Sequence, residues 1–179
     1  MHFASKFLLS LVFFLILLDE TLALRVKRGC SKCKFSIPLN PSIPHKTATT
    51  GGGGGGLFVN GGQANLTHVT LAENAISHGS MQGSGIVIIN GGVVNVDYSI
   101  VANHTETSNA NAIHAQSGNT VHLDTNLITG NSNDTGGGGS FTGNASSFSG
   151  NPGFISAGSP NYNYHINSSS AVIYQASGS

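Results

Sequence analysis

Positive charge is missing from most of this sequence. No lysine or arginine follows Lys46, whereas five of the seven acidic residues do, so residues 47–179 carry a net charge of −5. Nucleic acids and anionic lipids are bound through clustered basic side chains. The absence of such side chains argues against both as partners of this part of the chain.

Tryptophan is also absent, cysteine occurs twice and proline five times in 179 residues, while glycine is abundant at 25 residues. The glycines follow no period of three, which excludes a collagen-like triple helix. Leu, Ile, Val and Phe recur at ordered spacings, which disfavours intrinsic disorder. Length and composition together predict one folded domain.

The chain has a single long apolar run, from Phe7 to Leu18, with Lys6 before it and a small-residue pattern ending at Ala23 after it. This order predicts a secretory signal peptide over residues 1–23, cleaved after Ala23. As a helix the run would reach about 18 Å, which is too short for a hydrocarbon core of about 30 Å. We therefore expect a secreted, extracellular protein with no stable membrane insertion.

Directly after the signal stands the basic tetrad Arg-Val-Lys-Arg, which ends at Arg28. The tetrad resembles the site cut by furin-like proteases of the secretory pathway. Residues 24–28 are therefore a candidate propeptide, and cleavage would make Gly29 the first residue of the mature chain. The alternative is an ordinary basic segment.

Cys30 and Cys33 are the only cysteines. In an oxidising compartment they predict a small-loop disulfide or a link to another chain, with a redox-active C-x-x-C as the alternative. A zinc site would need two further ligands, and only His45 is close in sequence, so we expect no metal and no cofactor. The prolines of residues 29–50 favour an extended linker there.

The remainder of the sequence repeats. Residues 55–74 align without a gap on residues 85–104 at an offset of 30, and residues 112–131 follow at a further 27. A period of this size indicates a solenoid, a propeller or an array. Each unit has short alternating runs of β-favouring residues between Gly and Asn turns, and none has a helix-length amphipathic stretch. The fold class predicted is all-β: a small parallel β-helix of about four coils.

In such a helix the same column of every coil faces inward. Three aligned columns are apolar or small and form the predicted core. A fourth column is polar and predicts a side-chain ladder at a turn, with a histidine among asparagines. The three core columns and then the ladder are Ala64/Val94/Val121, Leu66/Val96/Leu123, Leu71/Val101/Ile128/Phe148 and Asn74/His104/Asn131/Asn151.

These repeats resemble the right-handed parallel β-helix proteins of the pectate-lyase-like class, the Gly- and Asn-rich bacterial surface proteins and the chlamydial polymorphic membrane proteins. Residues 55–57 and 148–151 correspond loosely to the G-G-A-[ILV] and F-x-x-N motifs of the last group. The stretches at 151–154, 163–166 and 170–173 are similar to the closing segment of such domains. The resemblance implies β-helix coils over residues 51–155 and a C-terminal capping segment over residues 156–179.

Enzymes of the resembled class include polysaccharide lyases, which use a basic residue and a calcium site of clustered carboxylates. No basic residue is present here after Lys46, and the net charge would repel a polyanion. A glycoside hydrolase is the stronger enzyme alternative, because Asp97 and Asp124 share a column on adjacent coils, which would place their carboxylates about 5 Å apart. The alternative for that pair is a solvated surface ladder that includes Thr67, and we expect no catalytic residues.

Five N-x-[ST] sequons predict glycosylation if their asparagines are exposed, although an Asn- and Thr-rich repeat also generates such triplets by chance. The sequence thus favours a secreted, non-enzymatic glycoprotein with a structural role or with a glycan, extracellular-matrix or cell-surface ligand. The ends of the β-helix or its two cysteines offer routes to an oligomer. An ice- or mineral-binding face is a further alternative that would need a more regular ladder. The five sequon asparagines are Asn65, Asn103, Asn133, Asn144 and Asn167.

Overall fold

The structure is a computed structural model that describes residues 55–76, 83–104, 111–143, 149–158 and 162–172, together with the backbone of four short strands before them. In this part of the chain the regular elements are eighteen β-strands, which confirms the all-β prediction. They are β1 (Leu24–Val26), β2 (Lys34–Ser36), β3 (Ser42–Pro44), β4 (Thr47–Ala48), β5 (Leu57–Asn60), β6 (Gln63–Thr67), β7 (Thr70–Ala72), β8 (Ala75–Ile76), β9 (Gly83–Ile89), β10 (Val93–Asp97), β11 (Ile100–Ala102), β12 (Asn111–Ala115), β13 (Thr120–Asp124), β14 (Leu127–Thr129), β15 (Thr135–Gly136), β16 (Ser140–Gly143), β17 (Phe154–Ser156) and β18 (Asn163–Ile166).

Most of these strands form three parallel sheets. The first sheet has the order β1-β5-β9-β12-β15, the second β2-β6-β10-β13-β16 and the third β3-β7-β11-β14. Strands β5 to β7 form coil 1, β9 to β11 form coil 2 and β12 to β14 form coil 3, and each strand pairs with its counterpart in the adjacent coil. This stacking is compatible with a β-helix or solenoid. Two small sheets, parallel β4-β8 and antiparallel β17-β18, complete the described part.

The second and third sheets have the register that the repeat predicts. Val96 pairs with Leu66 on one side and Leu123 on the other, and all three side chains are buried. The columns Ala64/Val94/Val121 and Leu71/Val101/Ile128 pair in the same way and belong to the same apolar core. The predicted core columns are confirmed, except that Phe148 lies outside the described residues.

The ungapped alignment is wrong in the first sheet. Leu57 pairs with Ile86, at an offset of 29. The residues of β9 that join the central core cluster are therefore Ile86 and Ile88, and not Val87 and Ile89. The cause is the corner that follows each strand: two residues separate β5 from β6, but three, 90–92, separate β9 from β10. Asn90 and the glycine after it adopt positive φ angles of 58° and 75°, which accommodates the extra residue.

The other two corners of each coil also contain left-handed residues. Between the second and third sheets these are His68, Tyr98 and Thr125, with φ angles of 56°, 50° and 51°. Such a conformation costs a non-glycine residue of order 1 kcal/mol, so the coil geometry must hold it in place. After the third sheet the corresponding residues are Glu73, Asn103 and Gly130, also with positive φ.

Buried polar side chains satisfy the backbone at these corners. The predicted ladder is present for three members: the His104 amide donates to Asn131 Oδ1 at 2.9 Å, and the Asn74 amide donates to His104 Nδ1 at 3.1 Å. The prediction was wrong for Asn151, which is exposed and accepts a hydrogen bond from the Gly153 amide. Polar side chains also follow the corner between the second and third sheets in coils 2 and 3. Ser99 Oγ accepts a hydrogen bond from the Val69 amide, and Asn126 Oδ1 accepts one from the Ser99 amide.

Residues 29–50, which the prolines predict to be an extended linker, include three short strands. Strand β2 pairs with β6, β3 with β7 and β4 with β8, all in parallel. Before them, β1 pairs with β5 at the edge of the first sheet. The backbone of this region therefore continues the stack by one further turn of strands.

The C-terminal segment packs beside the stack. Phe154 and Val172 contact a small cluster on the outward side of the third sheet, formed by Ile100, Ala102 and Leu127. The Tyr164 hydroxyl donates a hydrogen bond of 2.7 Å to Glu73 Oε2, and burial together with this carboxylate raises the pKa of Tyr164. Part of the predicted capping segment therefore covers a side of the stacked sheets.

Candidate functional site

Several predicted site residues fall outside the described part of the chain. These are the signal-peptide and processing residues Ala23 and Arg28, the cysteines Cys30 and Cys33, and the sequon residue Asn144. The described residues include no helix with the length and apolar character that a membrane crossing requires. Within the described residues, the candidate site lies among the outward side chains of the sheets.

The second sheet presents a polar face. Alternate residues of its strands point inward and are buried, so the residues between them point outward and are at least partly exposed. We call the outward set the polar face. Its members are Gln63, Asn65 and Thr67 on β6, Val93, Asn95 and Asp97 on β10, Thr120, His122 and Asp124 on β13, and Ser140 and Thr142 on β16.

The two carboxylates predicted to share a column do lie together on this face. Asp97 and Asp124 are direct partners on adjacent strands. Desolvation raises the pKa of Asp97, the Asp124 charge raises it further, and His122 has the opposite effect. No group of three or more potential metal ligands occurs among the described residues. In chemical terms the pair offers hydrogen-bond acceptors with negative charge.

Amide side chains run along the neighbouring column of the polar face. Asn65 Oδ1 accepts hydrogen bonds from Asn95 Nδ2 at 2.6 Å and from Gln63 Nε2 at 3.2 Å. Further along the column His122 Nδ1 is hydrogen-bonded to the Thr142 hydroxyl. These contacts fix the side chains relative to one another, and a glycan on the sequon residue Asn65 would cover this part of the face.

An aromatic pair borders the polar face at the corner between the second and third sheets. The rings of His68 and Tyr98 stack with centroids 5.5 Å apart and an interplanar angle of 14°. Tyr98 is 55% exposed. Sequence reasoning missed this pair, although the 30-residue alignment places Tyr98 directly on His68.

The remaining described sequons occupy different surroundings. Asn103 is half-buried at a left-handed corner, whereas Asn133 is exposed in the turn before β15. Asn167 Oδ1 accepts hydrogen bonds from both the amide and the hydroxyl of Ser169, which is the serine of its own sequon. The structure thus separates a sequon within a corner from sequons at the surface.

No protein-family model matches this chain, and neither a curated protein nor a solved structure matches it. The described residues show an all-β protein of stacked parallel sheets, with a polar face on the second sheet and an exposed aromatic pair at the border of that face.

Proposed function

We propose that this chain is a secreted right-handed parallel β-helix of the pectate-lyase-like class whose polar face binds a neutral glycan. The observation that carries the proposal is the exposed ring of Tyr98, which stacks on the His68 ring at the corner where the polar face ends. The N-terminal signal sequence and the basic tetrad support secretion.

Sugar rings match this combination of groups. A pyranose presents one apolar face of C–H groups, which packs on an aromatic ring, and hydroxyl groups at its edge, which need hydrogen-bond partners. Tyr98 supplies the ring. Asp97, the last residue of β10 and the one directly before Tyr98, supplies an acceptor for the sugar hydroxyls. Because the coils hold these side chains on paired strands, little conformational freedom is lost on binding.

Charge limits the class of glycan. Asp97 and Asp124 lie on the polar face, and none of the described members of that face is a lysine or an arginine. Acidic polysaccharides would therefore meet a surface of their own sign. The proposed ligand is a neutral oligosaccharide, presented by a matrix or a cell surface.

Replacing Tyr98 by alanine is expected to weaken binding of the best neutral oligosaccharide about 10- to 100-fold, or about 1.4 to 2.7 kcal/mol. The physical reason is the loss of the stacking surface. A glycan array with neutral, amino-sugar and acidic probes would select the ligand, and calorimetric titration would measure its affinity. Protein carrying Asn65→Gln is used alongside wild type, because a glycan on Asn65 would cover the face.

Two further variants make this test specific. Tyr98→Phe keeps the ring and is expected to bind within a few-fold of wild type. Ile155→Ala removes a comparably exposed apolar side chain on β17, outside the second sheet, and is expected to bind as wild type does. Equal binding by wild type and Tyr98→Ala, or a preference for acidic probes in the array, would contradict the proposal.

A glycoside hydrolase is the second candidate, because Asp97 and Asp124 are paired and the pKa of Asp97 is raised, as a general acid requires. We expect no release of reducing sugar and no unsaturated product from pectin, alginate, xylan or hyaluronan. General acid catalysis contributes about 10² to 10⁴ in rate, so a real site would lose its activity in Asp97→Asn. Cleavage that this variant abolishes without a loss of fold would establish the enzyme instead.

A further inference from the structure

A cleft lies between the last corner of the third sheet and the C-terminal segment. Its volume is about 580 Å³, within the range of sites that bury small ligands. Its described lining includes amide, hydroxyl and aromatic side chains but no charged one. The lining residues that matter here are Asn103, Thr129, Asn151, Pro152 and Phe154.

Asn103 connects this cleft with a modification motif. It is the first residue of the sequon Asn-His-Thr. Its backbone amide donates to the Thr129 carbonyl at 3.1 Å, which fixes the corner, and its side-chain oxygen occupies the space that a side chain on residue 130 would fill. A Cβ at position 130 would collide with that oxygen, so this glycine leaves room for the Asn103 side chain at the cleft.

We propose that Asn103 carries an N-linked glycan whose first sugar occupies this cleft, against Phe154, and thereby holds the C-terminal segment on the third sheet. The inference rests on the secretion part of the proposed function and is independent of ligand binding at the polar face. An uncharged cleft with one aromatic wall suits N-acetylglucosamine, which has an apolar ring face and amide and hydroxyl groups.

The modification itself precedes folding of the corner. The side-chain amide nitrogen of Asn103, Nδ2, attacks the anomeric carbon of an oligosaccharide linked to a polyprenyl pyrophosphate. The new carbon–nitrogen bond forms as the bond from that carbon to the pyrophosphate oxygen breaks, the amide loses one proton, and polyprenyl pyrophosphate leaves. The finished coil then closes with the sugar at the position of the cleft.

Two of the other described sequons, at Asn133 and Asn167, provide an internal comparison. Asn133 is exposed in a turn, and the Asn167 side-chain oxygen is engaged by Ser169. Neither lines the cleft. A glycan at Asn133 therefore tests only whether a sequon is modified, whereas a glycan at Asn103 also tests whether its first sugar occupies the cleft.

The test uses the full chain secreted from animal cells, with the occupancy of each sequon measured by mass spectrometry of glycopeptides. Under native conditions we expect peptide N-glycosidase to release the Asn103 glycan about tenfold more slowly than the Asn133 glycan, and both equally fast after denaturation. Phe154→Leu keeps an apolar residue but removes the aromatic wall, and is expected to speed release at Asn103 alone.

Thermal unfolding provides the second readout. Thr105→Ala removes the sequon but keeps Asn103 at its left-handed corner, and it is expected to lower Tm by about 2–4 °C relative to wild type, whereas Asn133→Gln leaves Tm unchanged. Occupancy at Asn133 without occupancy at Asn103, or equal native release rates at both, would overturn this inference alone. Absence of glycan from every sequon of the secreted protein would overturn it together with the glycoprotein prediction, and retention of the chain inside the cell would overturn secretion.

Discussion

Val96→Asp is expected to destabilise the fold by about 4 kcal/mol or more, which approaches the entire stability of a small domain. The Val96 side chain is fully buried in the middle of the stack, between Leu66 and Leu123. Aspartate there would lose apolar burial and place an unpaired charge, or a neutral acid without partners, in the core. Urea unfolding followed by circular dichroism measures the loss.

Val93→Asp is the matched control, because it makes the same substitution three residues earlier on the same strand. Val93 points outward and is only half-buried, so its variant should differ from wild type by less than about 1 kcal/mol. If both variants unfold at the same urea concentration as wild type, the inward assignment of Val96 is incorrect. A loss in Val93→Asp as large as that in Val96→Asp would equally contradict it.

Acid is expected to remove about 3 kcal/mol of stability through His104 as the pH falls from 6.5 to 4. The ring is fully buried in the corner ladder, and no described residue bonds to its Nε2 atom. Burial lowers the pKa of His104 to about 4, against the opposing effect of its hydrogen bonds to the Asn74 backbone. The unfolded chain has an ordinary histidine pKa near 6.5 and therefore takes up a proton first.

The sign of the effect follows from that order. Above pH 6.5 both states hold a neutral imidazole and the full stability is present. Between pH 6.5 and pH 4 only the unfolded state is protonated, so stability falls by about 1.4 kcal/mol per pH unit, and below pH 4 this loss is complete. Urea unfolding at a series of pH values measures the slope.

His104→Asn is the informative variant for this prediction. In this same column, Asn131 Oδ1 accepts a hydrogen bond from the backbone amide of residue 104 in the preceding coil. An asparagine at 104 can therefore accept a hydrogen bond from the Asn74 amide, as His104 Nδ1 does. The variant should lose most of the slope between pH 6.5 and pH 4. A smaller slope of the same sign should persist, because burial also lowers the pKa of His114. An unchanged slope in the variant would contradict the assignment to His104.

The repeat predicted the register of the second and third sheets because the corner between them has the same length in every coil. One left-handed residue, His68, Tyr98 or Thr125, makes that turn each time, so an offset read from the letters is also the offset of the strands. In the first sheet the matching Asn-Gly-Gly triplets at 60–62 and 90–92 misled the alignment. Identical turn letters there stand at corners of different length, which only strand pairing reveals.

Some features of the candidate site could likewise be predicted from the sequence, and others could not. The Asp97 and Asp124 column follows from strand periodicity, and it was predicted. The exposure of Tyr98 depends on a left-handed corner that no propensity predicts for tyrosine. The contact of Glu73 with Tyr164 joins residues 91 positions apart, and the packing of the C-terminal segment on the third sheet is similarly distant in sequence. Neither belongs to the repeat, so its period carried no information about them.

The position of the C-terminal segment has a consequence for how the molecule unfolds. A stack in which each turn touches only its neighbours behaves as a one-dimensional array, and its ends fray independently of its middle. The segment contacts Glu73 in coil 1, Ile100 in coil 2 and Leu127 in coil 3. Because opening any one of these coils would also disturb the segment, it couples all three, and they should melt in a single cooperative transition.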